Sequence, residues 1–274
     1  MNILKPSVAV FSSLLFLLFA VVDTAAGGDY ADGKLGKALI LGGNSITVKI
    51  PHYAGLKPAK AITISAWIKP KRVGKGGWQW QQIYRKEDGN ARALMAIGEY
   101  EKKHSLCFGL GISGKYVEHG VPLEPAKLLD GKWHLVSVTF DGKAIKFYAD
   151  GQEIGASTKA TGSIDTQGEA PAYIGSDKGT REFFKGGIDD VRIYNRAVSS
   201  GEIKTMALGD GKATVDGIVG WWKLDGDLKN SAAKTATGSV AQFRGIDRNW
   251  KATPFSLAAA QLDIRAAGEA AVRV

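Results

Sequence analysis

The sequence predicts an all-β protein, a two-sheet antiparallel β-sandwich with one short helix near residues 200–207. Three observations carry that prediction. From Gly36 to Ile203 the chain is a succession of short segments in which apolar and polar residues alternate, punctuated by glycine. Asp-Gly pairs, which suit hairpin turns, stand at Asp141-Gly142 and Asp150-Gly151. The 35 glycines and 8 prolines follow no short period along the 274 residues, which fits many turns between short strands and excludes collagen-like order. A 45% hydrophobic and 23% charged composition is enough for a substantial core and excludes a disordered chain.

Taken in order, residues 1–26 read as a secretory signal, with an uncleaved membrane anchor as the competing reading. Lys5 precedes an apolar run from Val8 to Val22 that closes on Thr24, Ala25 and Ala26, and the run carries Ser12 and Ser13 and is too short for the ~20 residues of a membrane span. The mature chain is therefore expected outside the cytoplasm, secreted, periplasmic or at the cell surface, with no later transmembrane segment. Residues 27–207 read as the sandwich. Within it Ile62, Ile64, Ala66 and Ile68 share one strand face and Thr63, Ser65 and Trp67 the other. From Trp133, the series His134, Val136, Val138 and Phe140 alternates up to Asp141-Gly142. The chain then returns with Ile145, Phe147 and Ala149 on one face. After a strand holding Val191 and Ile193, Ser199 stands three residues before Glu202, the spacing of a capping box, so a short helix is expected there. Residues 208–218 read as a linker, and 219–274 as a separate C-terminal segment.

Four segments resemble laminin-G-like (LamG-like, concanavalin A-like) domains in order and spacing: GKLGKALILGGNSITVKIP, ITISAWIKP, GKWHLVSVTFDGKAIKFYADGQEI and FFKGGIDDVRIYNRAVSSGEI. The resemblance implies a jelly roll, a fold common in secreted binding and adhesion modules and in accessory domains of carbohydrate-active enzymes. Such domains open with a strand resembling WKFDE, which is absent before Gly36. VGWWKLDGDLKNSA follows the linker instead, and the chain ends on QLDIRAAGEAAVRV, an echo of KALILGGNSITVKI. The tail thus looks like the start of a second repeat. It is expected to return and supply the missing strand, since otherwise Trp221, Trp222 and a strand edge would lack cover. If it completed a neighbour's sandwich instead, the result would be a strand-exchanged homodimer.

Trp78, Trp80, Gln82 and Tyr84 fall on one face if residues 78–84 are extended, followed by Arg85 and Lys86 and preceded by Gly74, Gly76 and Gly77. Sugar rings offer apolar faces that stack on aromatic rings while amides and guanidiniums bond their hydroxyls, so Trp78, Trp80, Gln82 and Arg85 are the candidate carbohydrate-binding residues. The competing reading packs these aromatics inside the sandwich. Alternation puts Asp189 in phase with Val191 and Ile193, on the buried face, where a carboxylate needs a cation or several donors. Related jelly rolls often hold one structural calcium with a late-strand Asp, which makes Asp189 and Asp225 the candidate metal ligands. Backbone hydrogen bonds or an Arg partner would serve Asp189 equally well.

Other chemistry finds little support. Cys107 is the single cysteine, so no internal disulfide forms, and its neighbours Leu106 and Phe108 suggest a buried thiol. His134 shares its face with apolar residues, while His52, His104 and His119 lack zinc spacing. Glu99 and Glu101 share a strand face, as glucanase acids do, but Lys103 occupies the next position and no third acid follows. The net charge of +9 is scattered, and no nucleic-acid signature or phosphate loop accompanies it. The expectation is an exported, non-catalytic module that recognises a carbohydrate or glycoprotein surface through rim loops. Protein–protein adhesion is the alternative, and a polysaccharide-active enzyme on the same fold is the least favoured reading.

Overall fold

The computed structural model describes residues 29–44, 46–72, 80–165, 168–212, 214–232 and 239–242. The signal-like segment, Trp78 and the echo at 261–274 lie outside the described residues. Period-two patterning gives β1 (Asp29–Asp32), β2 (Lys37–Gly42), β3 (Ile46–Ile50), β4 (Ile62–Pro70), β5 (Gln81–Asp88), β6 (Ala91–Tyr100), β7 (Lys103–Ile112) and β8 (Lys115–Pro122). A one-turn helix α1 (Pro125–Leu128) leads to β9 (His134–Phe140), β10 (Ile145–Ala149), β11 (Gln152–Ser157), β12 (Ala172–Ile174) and β13 (Lys185–Tyr194). Then come α2 (Ser200–Met206), β14 (Ile218–Trp222) and β15 (Ser239–Gln242).

The strands form two antiparallel sheets stacked as a jelly-roll sandwich. One runs β1-β2-β13-β4-β9-β10-β11, with β14 also on β13, and the other runs β15-β3-β12-β5-β6-β7-β8. In β4 the isoleucines and Ala66 enter the core, while Trp67 faces outward into a second cluster with Leu135, Tyr148 and Tyr194. Helix α2 covers that cluster with Ile203 and Met206. The helix starts where the capping box places it: Ser199 Oγ accepts from the Glu202 N–H and the Glu202 carboxylate accepts from the Ser199 N–H. Arg196, bonded to that carboxylate, holds the Glu202 pKa down to about 2 despite partial burial.

Turn chemistry fixes the meander. Asp150 and Gly151, with φ of 48° and 82°, join Ala149 to Gln152 as a two-residue turn with both central residues left-handed. The Asp141-Gly142 turn is longer than the pair alone suggests. It spans 141–144, with Asp141 Oδ1 accepting from the N–H groups of Lys143 (2.8 Å) and Ala144 (2.7 Å). His134 lies at the rim, in phase with the core residues of β9, with its ring nitrogens 2.8 Å from Asp150 and 3.0 Å from Asp130. Those carboxylates, Asp150 first, raise its pKa.

The segment after the helix lies against the sheet. Tyr194 Oη donates to the Thr214 carbonyl (3.1 Å) and the Asn195 N–H to the Gly217 carbonyl (2.8 Å). Strand β14 then pairs with Val191–Tyr194 of β13, while β2 pairs with Lys185–Ile188 along the same edge. Trp222 is fully buried in the core opposite Val191, and Trp221 turns outward opposite Arg192. Asn230 accepts from the Trp221 N–H (2.9 Å) and donates to Tyr53 Oη (2.9 Å), which in turn donates to the Val219 carbonyl (2.6 Å). β14 is thus docked on β13 of its own chain, beside the stretch that β2 covers.

Because the Trp222 ring fills the core, Trp222→Ala is expected to destabilise the protein by about 3–5 kcal/mol. Urea unfolding checks this, and an unchanged midpoint would show that β14 contributes nothing to the fold.

Candidate functional site

Two β-bulges decide which side chains meet. In β5 the pairing with β6 slips between Gln82 and Tyr84, so Ile83 is an extra residue. Gln82 stays opposite Ala96 on the outer face, but Tyr84 turns into the core beside Met95 and Arg85 takes the outer face opposite Leu94. The uninterrupted alternation expected for residues 78–84 therefore fails at Tyr84. Trp80, Gln82 and Arg85 nonetheless come together in one cleft of about 240 Å³. The other walls, Arg92, Leu94, Tyr116, Glu118 and Glu182, were not anticipated from the sequence. Tyr116 and Glu118 alternate on β8, and their signal was only that period of two; the pairing across β7 that brings them to Arg92 is a long-range property.

Small residues make the floor. Ala96 and Gly98 of β6, Cys107 and Gly109 of β7 and Gly120 of β8 occupy facing outward positions. A Cβ on Gly98 would stand 2.8 Å from the Trp80 indole and one on Gly109 would stand 2.9 Å from the Tyr116 ring, so both rings rest on bare backbone. Trp80 and Tyr116 remain partly exposed. Cys107 is fully buried in this floor, and burial pushes its thiol pKa upward.

The polar walls are tightly tied. Arg85 is only 6% exposed; its Nε lies 2.8 Å from Glu87 and 3.1 Å from Asp177, its Nη2 also bonds Glu87, and Nη1 reaches Glu182 at 3.5 Å. Its donors are thus occupied by protein carboxylates, contrary to the expected role of a free guanidinium. Gln82 Nε2 donates to Glu182 (2.6 Å), leaving Gln82 Oε1 buried without a hydrogen-bond partner. Arg92 lies over the Tyr116 ring at 4.2 Å and bonds Glu87 at 3.1 Å, and Tyr116 Oη bonds Glu118.

The acids weighed for catalysis do not form a set. Glu99 is exposed at the end of β6, while Glu101 sits in the following turn with φ of 49°, so they do not share a strand face.

The second bulge, at Asp190 (φ 52°), overturns the phase expected for Asp189. Ile188 and Val191 both face the core, and Asp189 faces outward opposite Trp67, though still fully buried. Its Oδ2 accepts from the N–H groups of Lys34 (2.7 Å) and Leu35 (2.9 Å), and Asp225 Oδ1 accepts from the Lys37 N–H (2.7 Å). Both carboxylates therefore hold the β1–β2 turn. Oδ1 of Asp189 is left without a partner, far short of the six to eight oxygens calcium takes, and no three His, Cys, Asp or Glu side chains gather for a metal among the described residues. The donor set does not fit a calcium site.

A larger cleft of about 410 Å³ lies nearby, between Lys34, Asp190, Arg192, Trp221, Lys223 and Asp225. Its aromatic ring is already occupied: Arg192 and Lys223 lie over Trp221 at 4.8 and 4.7 Å, and Trp221 Nε1 donates to Asp190 (2.6 Å).

Burial pushes the Asp189 pKa up to about 7, against its two backbone hydrogen bonds. The folded protein then keeps a proton that the unfolded chain releases near the ordinary 3.8, so this group lowers stability progressively from about pH 4 to 7. Asp189→Asn copies the protonated form, and its thermal midpoint is expected to match wild type near pH 4 and exceed it at pH 8. A variant that is no more stable at pH 8 contradicts this. A chelator is expected to leave the wild-type unfolding midpoint unchanged, which calorimetry with and without added calcium checks.

Among solved structures, the chain is similar to a Bacteroides ovatus protein put forward as carbohydrate binding, with 19% identity, a TM-score of 0.54 and coverage of 78% of this chain and 57% of that one. It is also similar to the binding domain of Paraclostridial Mosquitocidal Protein 1, with 17% identity, a TM-score of 0.51 and coverage of 68% and 46%. A third likeness is to the enzymatically active domain of tailspike protein 2 of bacteriophage CBA120, with 15% identity, a TM-score of 0.51 and coverage of 74% and 32%. The chain thus spans between a third and just over half of each neighbour, and at such identities the likeness is one of fold. No curated protein sequence matches it. The sequence model of the concanavalin A-like lectin/glucanases superfamily matches residues 42–204, more than half of the chain. By that match and by its two-sheet jelly roll, the chain belongs to the concanavalin A-like lectin/glucanase superfamily.

Proposed function

We propose that this chain is an exported, non-catalytic module that binds carbohydrate in the cleft on the outer face of the seven-stranded sheet. The observation that carries the reading is the partly exposed Trp80 ring, resting on Gly98 with polar walls around it, while Arg92 covers the Tyr116 ring beside it. A ring set on bare backbone keeps its other face open for the C–H face of a sugar. The structural neighbour put forward as carbohydrate binding adds support, while the tailspike neighbour, of which the match covers 32%, is an enzymatically active domain. The non-catalytic reading rests on the separation of Glu99 from Glu101. Export rests on the pattern of residues 1–26, and among the described residues no helix is long and apolar enough to cross a membrane.

Adhesion to a protein is the second reading. Leu208 and Val215, 68% and 66% exposed on the segment that crosses the first sheet, are the observation in its favour.

A glycan array on the mature protein separates the two. Trp80→Ala is expected to weaken glycan binding at least about tenfold, or ~1.4 kcal/mol, while keeping a β-type circular dichroism spectrum. Glycan binding that survives Trp80→Ala places recognition elsewhere. Release of reducing sugar from a polysaccharide by the purified protein would overturn the non-catalytic part.

A further inference from the structure

We infer that the cleft selects by charge, accepting neutral, hydroxyl-rich sugars and rejecting those that carry carboxylate or sulfate groups. This rests on the carbohydrate reading above and names the ligand class of the same site.

Arg85 is engaged at all three nitrogens by Glu87, Asp177 and Glu182, and Arg92 is held by Glu87 and the Gly89 carbonyl through Nε and Nη2 and lies over the Tyr116 ring. A free guanidinium binds an acidic sugar most strongly. The acceptors are less fully used. The bond from Gln82 Nε2 to Glu182 fixes the amide so that Oε1 is the atom left over, buried and without a partner. Glu118 and Glu182 are partly exposed carboxylates that only accept when ionised. Glu182 is held in place by a left-handed backbone (φ 54°), a conformation uncommon outside glycine. A hydroxyl can donate to these acceptors. A carboxylate or sulfate has no proton to give and meets the carboxylate of Glu118, which no cation pairs among the described residues, whereas that of Glu182 is paired with Arg85.

The whole chain pulls the other way, with a net charge of +9. That field acts at long range and is screened beyond roughly 8 Å at physiological salt, whereas contacts inside the cleft are not. Acidic polymers should therefore bind at low salt without specificity and be released as salt rises, while neutral ligands stay.

The test is calorimetric titration of the full mature protein at physiological salt with a neutral set (arabinotriose, xylotetraose and cellotetraose) and an acidic set (tetragalacturonate, sialyllactose and a sulfated disaccharide). At least one neutral sugar is expected to bind, with every acidic one at least about tenfold weaker. Glu118→Gln is expected to narrow the ratio of neutral to acidic affinity by about tenfold, and Gln82→Met to weaken the neutral ligand. Acidic sugars binding as tightly as neutral ones, or a ratio unmoved by Glu118→Gln, overturns the charge selection and leaves the carbohydrate reading standing. No binding to either set overturns both.

Discussion

Strand β13 is the constraint on which the sandwich depends. It is hydrogen-bonded along both edges and buried on both faces, with β4 on one side and, end to end on the other, β2 from the start of the chain and β14 from beyond the helix. Two strands arriving from opposite ends of the sequence meet along one edge, and the Asp190 bulge lies between their pairings. The adjacent aspartates there hold one each: Asp189 takes the N–H groups of the turn before β2, and Asp190 takes the indole N–H of Trp221 on β14 and the guanidinium of Arg192 (2.7 Å). Asp225, just past β14, reaches back to the Lys37 N–H and ties the two arrivals together.

Burying two carboxylates side by side costs stability, and burial raises the pKa of both, with Arg192 opposing the rise at Asp190. Directional bonding is what they give in return. An apolar pair could fill the same volume but could not orient a turn by its N–H groups or fix the angle of an indole. With Cys107 alone and buried, the described chain has no disulfide to do that work. At Asp189 backbone donors hold Oδ2, while Oδ1 has no hydrogen-bond partner.

Local chemistry was legible in the sequence and register was not. The β4 alternation, the Asp150-Gly151 turn and the Ser199–Glu202 cap each depend on residues within a few positions of one another, and each forms as the pattern predicts. The two bulges, at Ile83 and Asp190, carry no glycine and no break in the pattern. Each inverts the phase between the residues on its two sides, so that Tyr84 points inward and Asp189 outward. Half of the cleft was hidden for the same reason. Arg92, Tyr116 and Glu118 become neighbours of Trp80 only after three hairpins have paired, and nothing in the sequence near Trp80 points to them.

The floor of the cleft explains why stability and recognition share the same side chains. A sheet face made of alanine, glycine and cysteine cannot shield itself, so rings from neighbouring positions must cover it: Trp80 over Gly98, Tyr116 over Gly109 and Tyr100 over Gly120. Larger residues in that floor would bury the sheet unaided, lift the rings away and fill the groove. Small ones force the rings down onto backbone, Tyr116 beneath Arg92 and Trp80 partly exposed toward the cleft. The exposed Trp80 ring is therefore a consequence of how this sheet is covered, and the polar walls around it determine what can rest there.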